Sequence, residues 1–336
     1  MHRIGFLFVI VIIITAFRTY IRLDKKKGMI IMKEFYPEGT KTNEYGSKVY
    51  YTASQISDAI RTGEILEATA LLCDSSHHLT VDLGSMKGII KREEGALGIA
   101  EGKARDIAII SRVGKSVCFT VTDIVTDVTG TQVAVLSRRQ AQERFINNFL
   151  INMRYGDIMD ARVTHLESFG VFCDIGCGVV ALLPIDSISV SRIAHPCDRF
   201  KVGDDIKVIL KNIADDGKIT VSHKELLGTW EENAALFSAG QTVSGVVRSV
   251  EDYGVFVELT PNLAGLAEPF DTKVGNTASV YIKSIIPEKM KVKLIIIDSF
   301  QSNYSSEIKY FYNGEHIDRF DYSPPLGTKK IFTQFT

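Results

Sequence analysis

Two stretches of this chain repeat each other at a constant spacing of 84 residues. The first covers residues 156–163 and continues through Phe169-Gly170-Val171-Phe172-Cys173-Asp174-Ile175. The second covers residues 240–247 and continues through Tyr253-Gly254-Val255-Phe256-Val257-Glu258-Leu259. A repeat of this kind requires one supersecondary plan used twice. Each copy then carries a short apolar run (residues 179–185 and 263–269), a Val-Gly pair (Val202-Gly203 and Val274-Gly275), and a further apolar run (206–210 and 278–282). Each closes on an alternating stretch, 218–223 and 289–295. Five short β-rich stretches per copy, separated by Gly and Asp turns, predict a small closed barrel. Closure also removes the unpaired sheet edges on which chains aggregate. The glycine inside Phe-Gly-Val-Phe and Tyr-Gly-Val-Phe fits a strongly bent strand, where a side chain would crowd the curve.

A weaker third copy precedes these, with stretches at 63–68, 79–84, 88–91, 116–121 and 133–138. Residues 140–149, with Phe145 and Phe149 on one side, and residues 226–237, with Trp230 and Phe237, predict helical connectors. The expected plan is all-β. It has a divergent repeat at 56–147, a repeat at 149–228, a repeat at 238–298 and a tail at 299–336, behind an extension at 1–31.

With 45% hydrophobic and 24% charged residues the chain is globular in composition. Its 39 basic and 40 acidic residues leave a net charge of -1, which excludes a polycation that grips nucleic acid by bulk charge. Five cysteines in 336 residues do not form a disulfide framework and point to a reducing, cytoplasmic compartment.

The extension stands apart. Residues 4–17 are almost wholly apolar, between Arg3 and Arg18. The run is short for a bilayer span and lacks a small-residue cleavage site. Three readings are open. Translation starts downstream at Met32 or Met29, after a purine-rich run encoding Lys25-Lys26-Lys27-Gly28. Alternatively the run is a signal anchor, kept cytoplasmic on its C-terminal side by the following basic residues, or it is a folded strand.

The two strong copies resemble the RNA-binding repeat of the bacterial ribosomal protein S1 family, an OB-fold barrel. The resemblance rests on Gly-x-x-Val/Ile, aromatic-Gly-Val-Phe and Val-Gly, found twice in order over residues 149–298, and weakly over 56–147. It implies single-stranded RNA laid across the second and third strands, with rings stacking on bases at about 1–3 kcal/mol each and cations holding phosphates. Carried over by position, the stacking residues are Phe169 and Phe172 in the middle repeat and Tyr253 and Phe256 in the last. Arg162, His165 and Lys224 are the middle repeat's polar helpers, and Arg248 serves the last. Separately, period two puts Lys289, Lys291 and Lys293 on one strand face, where they either track a phosphate backbone or simply guard an exposed strand. The family's third-strand histidine is replaced by Lys91, Pro184 and Glu268, and the first copy has His77 and Thr80 in place of the aromatics. The first copy is therefore expected to dock on protein rather than bind RNA.

No phosphate-cradling loop, hydrolase triad or two-metal acidic cluster is present, so no enzyme, cofactor or metal is expected. Cys173, Cys177, His195 and Cys197 have a spacing that permits zinc without requiring it; simple thiols are the default. In the tail, Asn313-Gly314 predicts a hairpin between 309–312 and 315–322, with disorder after Pro325. The expected function is non-catalytic binding of single-stranded RNA, messenger RNA at the small ribosomal subunit. The alternative is a protein adaptor or ribosome-docking module. A membrane partner enters only if the first run is a genuine anchor.

Overall fold

The computed structural model describes residues 35–41, 49–302 and 307–336. The expectations for the extension at 1–31 lie outside these residues. The described chain forms three closed five-stranded barrels in tandem, within two compact units. One unit runs to Asn152 and takes in Gly176–Gly178; the other comprises Met153–Ile175 and Val179–Thr336.

The first unit contains the divergent barrel. Helix α1 (Ala53–Thr62) starts at Thr52, whose hydroxyl and the Gln55 side chain cap each other's backbone, and stops at Gly63 in the left-handed conformation (φ 69°). Strands β1 (Ile65–Cys73), β2 (Leu79–Asp82), β3 (Lys87–Ile90), β4 (Ser116–Thr126) and β5 (Gln132–Ser137) close in the order β1-β2-β3-β5-β4, with β3 parallel to β5. A short helix, α2 (Ile107–Ile110), lies between β3 and β4, and α3 (Arg138–Asn148) follows β5. Ile56, Leu66, Leu79, Val81, Ile109, Phe119 and Leu136 fill the core. Residues 35–41 are pinned by Glu38, which accepts from Arg138 (2.6 and 3.0 Å) and from the Cys118 amide (3.2 Å).

The second unit holds the two strong repeats. Strands β6 (Ile158–Glu167), β7 (Gly170–Asp174), β8 (Val180–Pro184), β9 (Asp205–Ile213) and β10 (Ile219–Ser222) form the middle barrel. Helix α4 (Trp230–Ala234), capped by Thr229 and Glu232, leads to the last barrel. That barrel comprises β11 (Thr242–Glu251), β12 (Gly254–Thr260), β13 (Leu263–Ala267), β14 (Thr277–Ile286) and β15 (Lys291–Phe300). All three barrels share one strand order and a parallel pairing of third with fifth strand. Lys289 lies in the turn before β15, off the strand on which alternation places it.

The glycines of the aromatic motifs answer to close approach. A methyl on Gly170 would sit 2.5 Å from the Leu183 carbonyl oxygen, and one on Gly254 would sit 2.3 Å from that of Ala267. Both obstacles are backbone of the neighbouring strand, which cannot yield as a flexible side chain would.

The tail departs from the sequence reading. The chain does not turn back at Asn313-Gly314. Its strands are β16 (Arg319–Asp321) and β17 (Phe332–Gln334), and Phe335 is buried, so residues after Pro325 are not all loose. Tertiary contacts override the Asn-Gly signal. Residues around Asp157 bridge to His316, with amides of Ile158 and Ile317 bonding to the carbonyls of Glu315 and Gly156 (both 2.9 Å). Tyr310 stacks edge-on against His223, whose other side meets Phe200. His223 Nδ1 donates to the Ile188 carbonyl (2.8 Å), leaving Nε2 to accept from the Tyr310 hydroxyl (3.3 Å). Tyr322 closes over the last barrel, its hydroxyl donating to the Asn262 carbonyl (2.6 Å).

Two outcomes are expected. Gly170→Ala and Gly254→Ala each lower stability by about 1–3 kcal/mol, read from urea unfolding midpoints, because a carbonyl must move to admit the methyl. Burial pushes the His223 pKa down to about 4. The unfolded chain therefore binds a proton the fold excludes between the ordinary histidine value and about 4. This contribution, up to roughly 3 kcal/mol, is present above about pH 6.5 and lost as pH falls toward about 4. Urea midpoints measured over that range fall less steeply in His223→Gln than in the wild type.

Candidate nucleic-acid interface

A β-strand turns alternate residues to opposite faces, so strand register decides which side chains share the outer surface. In the middle barrel His165 pairs with Phe172, Phe172 with Leu182, and Leu182 with Thr220. In the last barrel the same row reads Ser249, Phe256, Leu266, Lys293. Inward neighbours Val171, Leu183, Val255 and Ala267 are buried.

Phe169 and Phe172 meet edge to face, centroids 6.0 Å apart at 88°. Tyr253 and Phe256 repeat this at 6.2 Å and 88°. The lead ring of each pair is open, with Phe169 54% and Tyr253 66% exposed, while Phe172 and Phe256 are half-buried. His165 lies nearly parallel to Phe172 (6.3 Å, 25°) and its Nε2 meets Glu167 at 2.7 Å. Each barrel thus presents a rigid pair of rings at right angles, a geometry within the favoured range for aromatic contacts. The open faces suit planar, apolar partners.

The cations divide. Lys291 is exposed, and so is Lys293, which the register places in the ring row; neither enters an ion pair with a described residue. Lys224 is half-buried and donates to the Asp186 carbonyl (3.1 Å). The two arginines are not brought to the face. Arg162 is buried in a bidentate pair with Asp205 (2.7 and 2.9 Å). Arg248 is held by Glu258 (3.0 and 3.2 Å) and lies 3.8 Å from Asp198. For Arg248 the local cause is a β-bulge. Register slips between Val247 and Ser249, as it does between Val163 and His165, and a bulged residue is re-aimed relative to its strand. The resemblance implies Arg248 as an RNA contact; at the bulge its side chain instead partners a buried carboxylate. Burial pushes the Glu258 carboxyl up, but bonds and charge from Arg199 and Arg248 together outweigh this and hold it below its usual value.

Sequence reading missed Arg199 and the row position of Lys293. Lysine alternation does flag 291 and 293, but only register distinguishes them. Nothing in the local sequence marks Arg199, because its partner lies 59 residues away. In the first barrel the corresponding row is Leu72, Thr80, Ile89 and Val135. His77 sits in a left-handed turn (φ 61°), 3.4 Å from Asp106. No group of three or more metal-ligating side chains is gathered among the described residues, and none of their helices is long and apolar enough to cross a membrane.

Three closed barrels of one strand order, two of them with a pair of rings at the start of the second strand, define a tandem OB-type barrel protein. The S1 RNA binding domain family matches residues 153–224, the middle barrel. The chain is similar to bacterial S1 proteins of the small ribosomal subunit. It is 26% identical over 230 residues to the small ribosomal subunit protein bS1 homolog of Bacillus subtilis, covering 66% of this chain and 59% of that protein. It is 33% identical over 159 residues to small ribosomal subunit protein bS1 of Leuconostoc lactis, covering 46% and 36%. The match therefore spans less than two thirds of either relative. Among solved structures, a multidomain protein with nucleic acid binding domains from Streptococcus pneumoniae is similar at 15% identity and TM-score 0.23, over 70% of this chain and 73% of that one.

Because Arg162 and Arg248 pair with carboxylates, each is a stability residue. Arg248→Gln is expected to lower the unfolding midpoint by an amount equivalent to about 1–3 kcal/mol, the cost of weakening a charged hydrogen bond to a buried carboxylate. Calorimetry checks it.

Proposed function

We propose that this chain is a non-catalytic, single-stranded RNA-binding protein that takes up messenger RNA in association with the small ribosomal subunit in the cytoplasm. The observation that carries the reading is the pair of perpendicular rings, repeated on the outer faces of the middle and last barrels. The S1 RNA binding domain match over residues 153–224 and the names of the ribosomal relatives support it. Bases stack on Phe169 with Phe172, and on Tyr253 with Phe256. His165 extends the middle platform. Lys291 and Lys293 meet phosphates beside the last one. Near-zero net charge assigns more of the binding energy to stacking than to counterion release.

The adaptor reading draws on the first barrel, where aliphatic Leu72 and Ile89 stand in the row that carries rings elsewhere. A protein-docking role for that barrel is compatible with RNA binding by the other two.

Fluorescence anisotropy of the full chain with a labelled single-stranded RNA tests the proposal. The double variant Phe169→Ala with Tyr253→Ala is expected to bind at least about tenfold more weakly, since each stacked base is worth about 1–3 kcal/mol. Duplex RNA competes poorly. Lys291→Gln with Lys293→Gln reduces the slope of log K against log salt by about 0.7 for each phosphate that is no longer neutralised. No binding at tens of micromolar, on the order of weak non-specific contacts, rejects the RNA reading in favour of the adaptor.

A further inference from the structure

The loop between β8 and β9 of the middle barrel is longer than its counterpart in the last barrel, and it reaches the last barrel. Arg199 in this loop makes a two-pronged pair with Glu258 (2.8 Å for each prong), and the two side chains are 1% and 0% exposed. The same guanidinium meets the Ser189 hydroxyl (3.3 Å). Beside it, the Val190 amide donates to the Asn262 side chain (3.0 Å) and the Ser191 amide to the Pro261 carbonyl (3.1 Å). Asn262 also donates to the carbonyls of Lys224 and Gly228 (2.8 Å each). The tail adds a second tie: Tyr310 seats on the middle barrel at His223, and Tyr322 seats on the last barrel at Asn262.

Glu258 lies two residues from Phe256 on β12, about 7 Å along the strand and on the same outward parity. The clamp therefore ends one strand step from the stacking ring. We propose that the Arg199–Glu258 clamp makes the middle and last barrels one RNA-binding body, which selects single strands long enough to cross both ring pairs. This inference rests on the RNA reading above. Two sites on one strand raise each other's effective concentration when their spacing is met, and a fixed spacing avoids the freedom a flexible linker would lose on binding. Arg199 is a positioning residue in this scheme; it touches no RNA. Arg248 still neutralises Glu258 when Arg199 is removed, so the last barrel keeps its own charge balance.

The experiment uses the full chain with labelled oligouridylates of about 6 and about 24 nucleotides, the first matched to one barrel's footprint and the second to more than one. The wild type is expected to bind the longer strand at least about 100-fold more tightly. Arg199→Met keeps short-strand affinity within about twofold and loses about tenfold on the long strand, part of the linkage gain. In the Phe256→Ala background, Arg199→Met has no further effect on the long strand, because the second foothold is already gone. Residual dipolar couplings report one common alignment for the two barrels in the wild type and two in the variant. If thermal melting shows Arg199→Met unfolded, Asn262→Ala replaces it, cutting the same docking surface without stranding a charge. Equal losses on both strands, or no loss on either, overturn the clamp while leaving RNA binding in place. Wild-type failure on both strands overturns the RNA reading itself.

Discussion

Glu258 is a carboxylate with no exposure to water, and the arrangement of the second unit depends on how it is satisfied. Taking a carboxylate out of water costs several kcal/mol, recovered only when its oxygens are paired with good geometry. Arg199 and Arg248 each approach both oxygens. Two guanidiniums on one carboxylate leave an excess positive charge, and Asp198 at 3.8 Å from Arg248 offsets it. The four groups are neutral together. Such clusters are weak evidence for stability, since an apolar replacement of the same volume often does as well. Their distinguishing property is direction: the bidentate fork fixes where a loop lies in a way that greasy contact does not. Val190 and Asn262 then have a defined place to meet.

That cluster depends in turn on a defect shared by all three barrels. Register slips once in each first strand, between Ala70 and Leu72, between Val163 and His165, and between Val247 and Ser249. A closed five-stranded sheet must coil tightly, and a bulge supplies local bend and twist. The residue at the slip is spared a pairing duty, so its side chain is open to other uses. Leu71 is exposed, Thr164 donates to the Phe172 carbonyl, and Arg248 turns to Glu258. One backbone requirement thus permits three unlike residues.

These two features explain what was legible in the sequence. The 84-residue offset carried the barrels, because strand alternation, turn glycines and aromatic spacing are local signals that recur in order. The ring pairs were legible for the same reason: Phe169 to Phe172 and Tyr253 to Phe256 each lie within a single turn and strand. The pairing of Arg248 with Glu258 was not legible, because position in the repeat does not show that the residue at the bulge turns to a buried carboxylate. Arg199 left no local signature, since a loop's docking site depends on a residue 59 positions away. The tail failed differently. Asn313-Gly314 is a strong turn signal, but main-chain bonding to β6 and the seat for Tyr310 outweigh a preference of order 1 kcal/mol.

Period two also explains how three barrels of one plan acquire different surfaces. Inward positions such as Val81, Val171 and Val255 must fill a closed core, so volume constrains them. Their outward neighbours face no such demand. The row that reads Leu72, Thr80, Ile89, Val135 in the first barrel reads His165, Phe172, Leu182, Thr220 in the middle one and Ser249, Phe256, Leu266, Lys293 in the last. Aliphatic, aromatic and aromatic-cationic chemistries thus occupy the same frame without disturbing the packing beneath. The last barrel adds a constraint of its own. On β12 both Phe256 and Glu258 point outward, the first half-buried beside the Tyr253 ring and the second buried under Arg199, so seven residues carry a ring surface and a docking face side by side. A change that lengthened the face would have to uncover the carboxylate, and one that enlarged the docking contact would have to cover the ring. The position of the Arg199–Glu258 pair on this strand therefore sets how much of the outer face of β12 stays uncovered.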